Sequence, residues 1–482
     1  MSVMATATAD QAAPARTERE RRRELSPAER AAKGKRARSD VPRKAQALWE
    51  PPPDRRDPVE ILREQEATRV PELLPIRHER MGESAFSFYR GAAAVMAADL
   101  ALMPSSGLRV QLCGDAHLSN FGGFAAPDRS LVFDINDFDE TLPGPFEWDV
   151  KRLAASVEIA GRDCGFGARD RGAAVSATTG RYREAMHSFA DARAIDVWYA
   201  RLDERNVLPA LEAVGARGEE KRLNRAARKA RSKDSMRALS RLTEDVDGSL
   251  RIIDDPPLIV PVGKLFEDIS GRNFEREMRE NLNAYRRSVT GAGARLIDRY
   301  RYVDMARKVV GVGSVGTRAW IILMLGRDAD DPLFLQVKEA DASVLEPYAG
   351  KSRFSQHGRR VVEGQWLMQS ASDVLLGWAS ATGVDGQRRD FYVRQLWDWK
   401  RSADIETMTP ERLHSYGQMC GWTLARAHAR SGDPIAMASY LGGSDRFDRA
   451  MTDFAAAYAD QNERDYSAFR DAVASGAPAS RR

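Results

Sequence analysis

Between Cys113 and Asp149 the chain reads CGDAHLSNFGGFAAPDRSLVFDINDFDETLPGPFEWD, which crowds nine polar residues into one short, otherwise apolar stretch. They are Asp115, His117, Asn120, Asp134, Asn136, Asp137, Asp139, Glu140 and Asp149. Carboxylates this close repel one another unless a cation or several donors compensate them, so a divalent metal ion is their natural partner. Hard oxygen ligands, with an asparagine among them, favour magnesium or manganese over zinc. Aspartate and asparagine also cap turns. A single GDxH would need no more than that, but an ordered series with a second strand needs a further reason.

A second set lies two hundred residues downstream. VGVGSVGTRAW carries Gly311, Gly313 and Gly316 in GxGxxG spacing, which lets backbone N–H groups approach phosphates. The motif alone is weak. It sits in a β-hairpin pattern rather than opening a helix, which argues against a dinucleotide-binding site. LFLQVKEA then places Lys338 on an apolar strand, where an ammonium is costly without an anionic partner. Nucleotide phosphates would supply one, or a helix glutamate: Glu363 is the expected partner, with Glu346 and Glu339 as alternatives. A surface lysine on an edge strand is the plainer alternative.

These residues need elements to carry them. GAAAVMAADLALM (91–103) has helical spacing and stops at Pro104 and Gly107. LRVQLCG and RSLVFDIND read as strands and WDVKRLAASVEIAGR as the opening of a long helix, so the carboxylates collect at a strand end and in the loop after it. Residues 170–300 are mostly helical in pattern, with the intensely basic EEKRLNRAARKARSKDSMR read as a solvated face. From 301 the chain turns β-rich through KVVGVGSVGTRAWIILMLG and PLFLQVKEA. HGRRVVEGQWLMQSASDVLLGW follows as a helix and DFYVRQLWDW as a strand. SYGQMCGWTLARAHARSGD is an amphipathic helix ended by Gly432 and Pro434.

The 482 residues hold 43% hydrophobic and 30% charged residues, enough for a sizeable core. No apolar run approaches the ~20 residues of a membrane helix, and the N-terminus lacks the pattern of a secretory signal. Three scattered cysteines and six histidines build neither a disulfide framework nor a structural zinc site. A net charge of +4 is too balanced to argue for nucleic acid. A cytoplasmic enzyme is the class expected. Residues 1–45, dense in arginine and lysine, read as a flexible arm.

GDAHLSN followed by NDFDE resembles the catalytic segment of the protein-kinase-like superfamily, above all its aminoglycoside and choline phosphotransferase branch. By position, the resemblance makes Asp115 the base that orients an acceptor hydroxyl. Asn120 and Asp137 become the ligands of magnesium on ATP, with Asp134 as a rival for the Asp137 role. The family's leading histidine is Cys113 here, and its further structural aspartate is Asp149. QVKEA resembles the kinase lysine strand.

The order of these parts is inverted, since glycine loop and lysine follow the catalytic segment. The resemblance therefore implies an α+β, circularly permuted, two-lobe kinase-like fold. Residues 46–300 would form a helical catalytic lobe, 301–400 a β-rich nucleotide lobe with FYVRQL as its hinge, and 401–482 helices packing on the helical lobe. FYRGAAAVMAADLA, CGDAHLSNFG and FDINDFDETLPGPFEWDVKRLAAS also closely resemble an uncharacterised bacterial family, domain of unknown function 2252. The expected activity is ATP- and magnesium-dependent transfer to an unknown small-molecule or protein hydroxyl. A metal-dependent phosphohydrolase and a nucleotide-binding pseudokinase or scaffold are the alternatives.

Overall fold

The computed structural model describes residues 25–203, 235–265, 271–309, 311–383, 385–396, 399 and 401–476. Helices α1 (Pro27–Asp40), α2 (Pro58–Glu66), α3 (Leu74–Gly82), α4 (Ala85–Gly91) and α5 (Ala93–Ala101) open it. Strands β1 (Arg109–Leu112), β2 (Phe121–Ala125), β3 (Leu131–Ile135) and β4 (Leu142–Pro145) follow, then helices α6 (Phe146–Asp163) and α7 (Ala168–Asp191). A second block holds β5 (Ile259–Pro261), α8 (Gly271–Ser288), β6 (Arg301–Lys308), β7 (Ala319–Leu325), β8 (Pro332–Glu339), α9 (His357–Met368), β9 (Gly377–Thr382) and β10 (Arg388–Gln395). Helices α10 (Pro410–Ser431), α11 (Pro434–Leu441) and α12 (Arg446–Ala474) close it. The architecture is mixed α+β, with helices and strands largely segregated along the chain.

The largest core lies among α5, α6, α7 and α10–α12, on Leu153, Val157, Tyr182, Leu424, Met451 and Phe454. Asp433 caps α11 by accepting from the Ala436 amide, and Pro434 occupies its first turn, so the Gly432–Pro434 stop is also a restart. The apolar 91–103 segment is interrupted at Ala92, which ends α4 and precedes α5.

The main sheet has six antiparallel strands in the order β9-β10-β8-β7-β6-β5. Side chains alternate across it. Leu333, Leu335, Val393 and Ile322 pack with Met278 and Tyr285 of α8 on one face. Phe334, Ile321 and Leu323 pack with Ala238 and Leu242 on the other. The sheet begins at Ile259, upstream of the expected boundary at 300. A hairpin of Thr243–Val246 and Ser249–Ile252 also interrupts the helical pattern expected there. Most of the basic stretch at 219–237 lies outside the described residues. Past β10 the chain reaches Arg401–Ser402, which pair with β2.

The expected flexible arm over 1–45 needs correction from Ser26 onward; residues 1–24 lie outside the described residues. Ser26 and Glu29 form a capping box that starts α1. Gly34 then lets α1 approach α11, since a Cβ there would sit 2.0 Å from the Ala436 carbonyl oxygen. Arg30 pairs with Asp433 at 2.8 Å and Gln46 donates to the Tyr440 hydroxyl at 3.0 Å. Composition alone shows no apolar surface, so these tertiary partners were invisible in the sequence. Among the described residues no helix is long and apolar enough to cross a membrane.

Candidate active site

Strand β1 pairs with β4 and delivers Cys113, Gly114 and Asp115 into a tight loop. Gly114 has φ +85°, and a Cβ on it would sit 2.4 Å from the Glu140 carbonyl oxygen. The Asp149 carboxylate, in the first turn of α6, accepts from the amides of Cys113 (2.8 Å) and Gly114 (3.0 Å). His428 of α10 supports that carboxylate: its Nε2 lies 3.1 Å from Asp149 and its Nδ1 2.9 Å from the Tyr182 hydroxyl. Nε2–H donating to the carboxylate and Nδ1 accepting from the tyrosine satisfies all three groups. Burial and the Asp149 charge push the Cys113 thiol well up, so it is an inert packing group.

Asp115 emerges from this loop onto Arg152, whose Nε and Nη2 reach Oδ1 at 2.9 and 2.8 Å. Its Oδ2 lies 3.6 Å from His117 Nε2. Burial drives His117 down to about 4, so the ring is neutral near pH 7. Asn120 donates through Nδ2 to the Asp115 carbonyl at 2.8 Å, which leaves Oδ1 as its acceptor atom. The Asn120 carbonyl accepts from the Asn136 amide at 2.7 Å, which ties this loop to the end of β3.

Lys338 enters from β8. Strand alternation puts it on the face opposite Val337, with 3% of its side chain exposed. Its Nζ lies 2.5 Å from Asp139 Oδ2 and 3.5 Å from Asp137 Oδ2. Burial would lower this ammonium, yet the two carboxylates outweigh burial and hold it above its ordinary value. Asp139 is pushed up by burial and by Asp137, and its Oδ1 accepts from the Tyr392 hydroxyl at 2.5 Å. Arg394 on β10 donates to the Asn136 carbonyl at 3.0 Å and to Gln336 at 3.0 Å.

The structure gives Lys338 a different partner from the one expected. Glu363 pairs with Arg359 at 3.3 Å on the outer side of α9. Glu339 pairs with Arg318 and Arg389, both at 3.2 Å. The residue α9 sends inward is Arg360, which donates to the carbonyls of Thr141 (2.9 Å) and Asp139 (2.8 Å). Glu363, three positions on and 28% exposed, turns to Arg359 rather than to Lys338.

Asp134 and Asp137 also separate. Asp134 is fully buried beneath Arg426 (2.5 Å) and accepts from the Ser370 amide and hydroxyl at 2.8 and 2.7 Å. Its oxygens are already occupied, which leaves Asp137, with 29% of its side chain exposed, to face the site. Among the described residues no group of three or more His, Cys, Asp or Glu side chains could hold a metal ion by itself. Magnesium needs no such cage, since it is usually held by one or two carboxylates with phosphate oxygens and water. Asn120 Oδ1 and Asp137 fit that requirement.

The glycine loop joins β6 to β7, and Ala319, just past it, stands opposite Lys338 in the register. Gly311 and Gly316 adopt φ +65° and +91°. Arginines of the helical part hold the loop's carbonyls: Arg77 that of Gly313 at 2.8 Å, Arg80 that of Gly311 at 2.6 Å, and Arg69 that of Val315. Arg90 lies under the same loop, its carbonyl oxygen 3.2 Å from where a Gly313 Cβ would be. Its Nε is buried without a partner, burial lowers its guanidinium, and Asp115 and His117 lie within its field.

A family model described as "uncharacterized protein conserved in bacteria" matches residues 69–472. The chain belongs to this family, domain of unknown function 2252. The match contains Asp115, Asn120, Asp137, Lys338 and the glycine loop, and it leaves out α1 and α2. Searches of curated proteins and of solved structures each return no significant match. Sequence reasoning placed Asp139 in the acidic cluster without giving it a role, and passed over Arg152, Arg360 and Tyr392. The repeated carboxylate of DFDE was the signal for Asp139, and the other three lie outside any such pattern.

Proposed function

We propose that this chain is a magnesium- and ATP-dependent phosphotransferase of the kinase-like type, with a hydroxyl group as acceptor. The observation that carries the reading is Lys338 against Asp139 and Asp137, beside the Asp115–Asn120 loop. Lys338 and Asp139 are 199 positions apart in sequence, yet they share one buried site. A lysine, two carboxylates, an asparagine and a separate aspartate are the parts phosphoryl transfer uses for positioning and charge neutralisation.

Each group then has a task. Asn120 Oδ1 and Asp137 would hold magnesium, which neutralises charge on the nucleotide phosphates. Lys338, kept fully charged by its neighbours, binds phosphate oxygens in exchange for part of its contact with Asp139. Arg90, beneath the glycine loop and beside Asp115, would bind a further anionic oxygen. Asp115 is anchored through Oδ1 by Arg152, so Oδ2 is left to orient the acceptor hydroxyl and take its proton. A loose transition state demands alignment more than a strong base, which suits a carboxylate paired with arginine.

The permuted order has its own support. Ser431, at the end of α10, accepts from the Gln111 amide of β1 at 3.1 Å. The last long-helix turn thus meets the strand entering the catalytic loop, as a chain cut just before that loop would require. A two-metal phosphohydrolase would want a richer set of side-chain ligands than Asn120 and Asp137.

A thermal-shift titration with magnesium and ATP, on the native chain and on Lys338→Ala and Asp137→Ala, tests the reading. Ligand that binds only the native state raises Tm by mass action. A magnesium-dependent rise lost in both variants is the expected result, and no rise at millimolar ATP refutes it. Product mass then separates gain of a phosphate from gain of a nucleotide.

A further inference from the structure

The face of the main sheet turned away from Lys338 is not solidly packed. A cavity of about 440 Å³ lies between it and α8, within the range of small-molecule sites. Trp320, Leu335, Val337 and Val393 form its floor and Met278 and Tyr285 its roof. Aromatic and methionine side chains suit an apolar guest of adaptable shape.

One end of the cavity is polar. Arg307, Arg318 and Arg389 stand there with Glu72 and Asp385. Arg318 and Arg389 are both held by Glu339 at 3.2 Å. Arg307 donates through Nη1 to Glu72 at 2.8 Å, while its Nε is buried and has no partner. The Arg307 side chain is 12% exposed and its partner Glu72 60% exposed, so that carboxylate can exchange for an acceptor on a bound molecule. Guanidinium at the mouth favours an anionic one.

We infer that this cavity is a second binding site, independent of the proposed phosphotransfer site, for an amphipathic molecule with an apolar chain and a carboxylate-like head on Arg307. The apolar part replaces water against Leu335, Val337 and Tyr285, and the head pairs with the partly exposed Arg307 guanidinium. Val337 lines the cavity and Lys338 lines the other site, so a guest would press on the strand that carries the lysine.

Dodecanoate and dodecanol, titrated calorimetrically into the full chain below their aggregation limits, test this. Dodecanoate should bind saturably, and more tightly than the alcohol. Ala379→Phe, which fills the cavity, should weaken binding at least about tenfold. Arg307→Met should remove the preference for acid over alcohol. If Ala379→Phe fails to fold by circular dichroism, Ala381→Phe fills the same space from the next inward position. Absence of saturable binding to the native chain, equal affinity for acid and alcohol, or binding unchanged by a folded cavity-filling variant overturns the inference. Magnesium-ATP binding does not enter any of these readouts.

Discussion

Lys338 Nζ lies 2.5 Å from the Asp139 carboxylate, although β8 and the loop after β3 belong to different parts of the fold. The contact joins the main sheet to the acidic loop between β3 and β4. Together with Asp137 it holds the Lys338 ammonium charged against its burial.

Replacing Lys338 by Met should abolish ATP turnover. It also leaves Asp137 and Asp139 crowded without their cation, which should cost about 1–3 kcal/mol, discounted for the partial exposure of both carboxylates. Lys338→Met combined with Asp139→Asn should recover part of that stability and none of the turnover. Urea denaturation and a coupled ATPase assay read the two effects. Equal stability of single and double variants would contradict the pairing.

Asp115→Asn should fold and bind magnesium-ATP normally but lose turnover by orders of magnitude. Arg152→Met should behave differently. It leaves Asp115, whose side chain is 20% exposed, without its cation and should cost about 2–4 kcal/mol. Measuring nucleotide affinity and kcat on both variants separates orientation of the acceptor from binding of the nucleotide.

Arg90 has no ion pair among the described residues, so Arg90→Ala should change stability by less than about 1 kcal/mol. Its turnover should nevertheless fall, with weaker binding of the anionic substrate. An unchanged KM and kcat would remove Arg90 from the site.

Asp134 and Asp137 should part company. Arg426→Met leaves Asp134 buried and unpaired and should destabilise by about 3–5 kcal/mol. Asp137→Asn should retain native stability and lose the magnesium-dependent rise in Tm. A magnesium-dependent rise that survives in Asp137→Asn would reopen the assignment of the metal ligand.

Glu140 offers a pH test. Burial raises its folded-state value from 4.5 to about 7, so the native state holds a proton the unfolded chain releases between those values. Its contribution to stability is present below about pH 4.5 and is lost as pH rises through 7. Glu140→Gln, which mimics the protonated form, should therefore stabilise the chain by about 1–3 kcal/mol at pH 8 and have little effect at pH 4.5. His117 runs the other way: its value of about 4 means stability falls as pH drops from 6.5 towards 4. The two effects oppose each other over this range, so the Glu140→Gln comparison is what isolates one group. Chemical denaturation at both pH values checks it.

Much of this protein is legible in one dimension. Alternating apolar runs predict β1, β3, β7 and β8, and helical spacing with Gly432–Pro434 predicts α10, because period and turn chemistry are local properties. The ordered GDAHLSN and NDFDE motifs, two stretches either side of one hairpin, mark the carboxylate cluster for the same reason. Pairings across the fold are not local. Whether Lys338 meets Glu363 or Asp139, whether Asp134 or Asp137 faces outward, and whether residues 27–47 drift or pack on α11 depend on which faces the tertiary contacts cover. Glu363 and Arg360 lie one turn apart on the same helix, so composition gives no basis for choosing between them. They share much the same face of α9, and the partners packing supplies decide between them: Arg360 reaches the Thr141 and Asp139 carbonyls while Glu363 turns to Arg359. Spacing along the chain names the residues that could do the chemistry, and only packing, by burying one side of each helix and strand, selects those that meet.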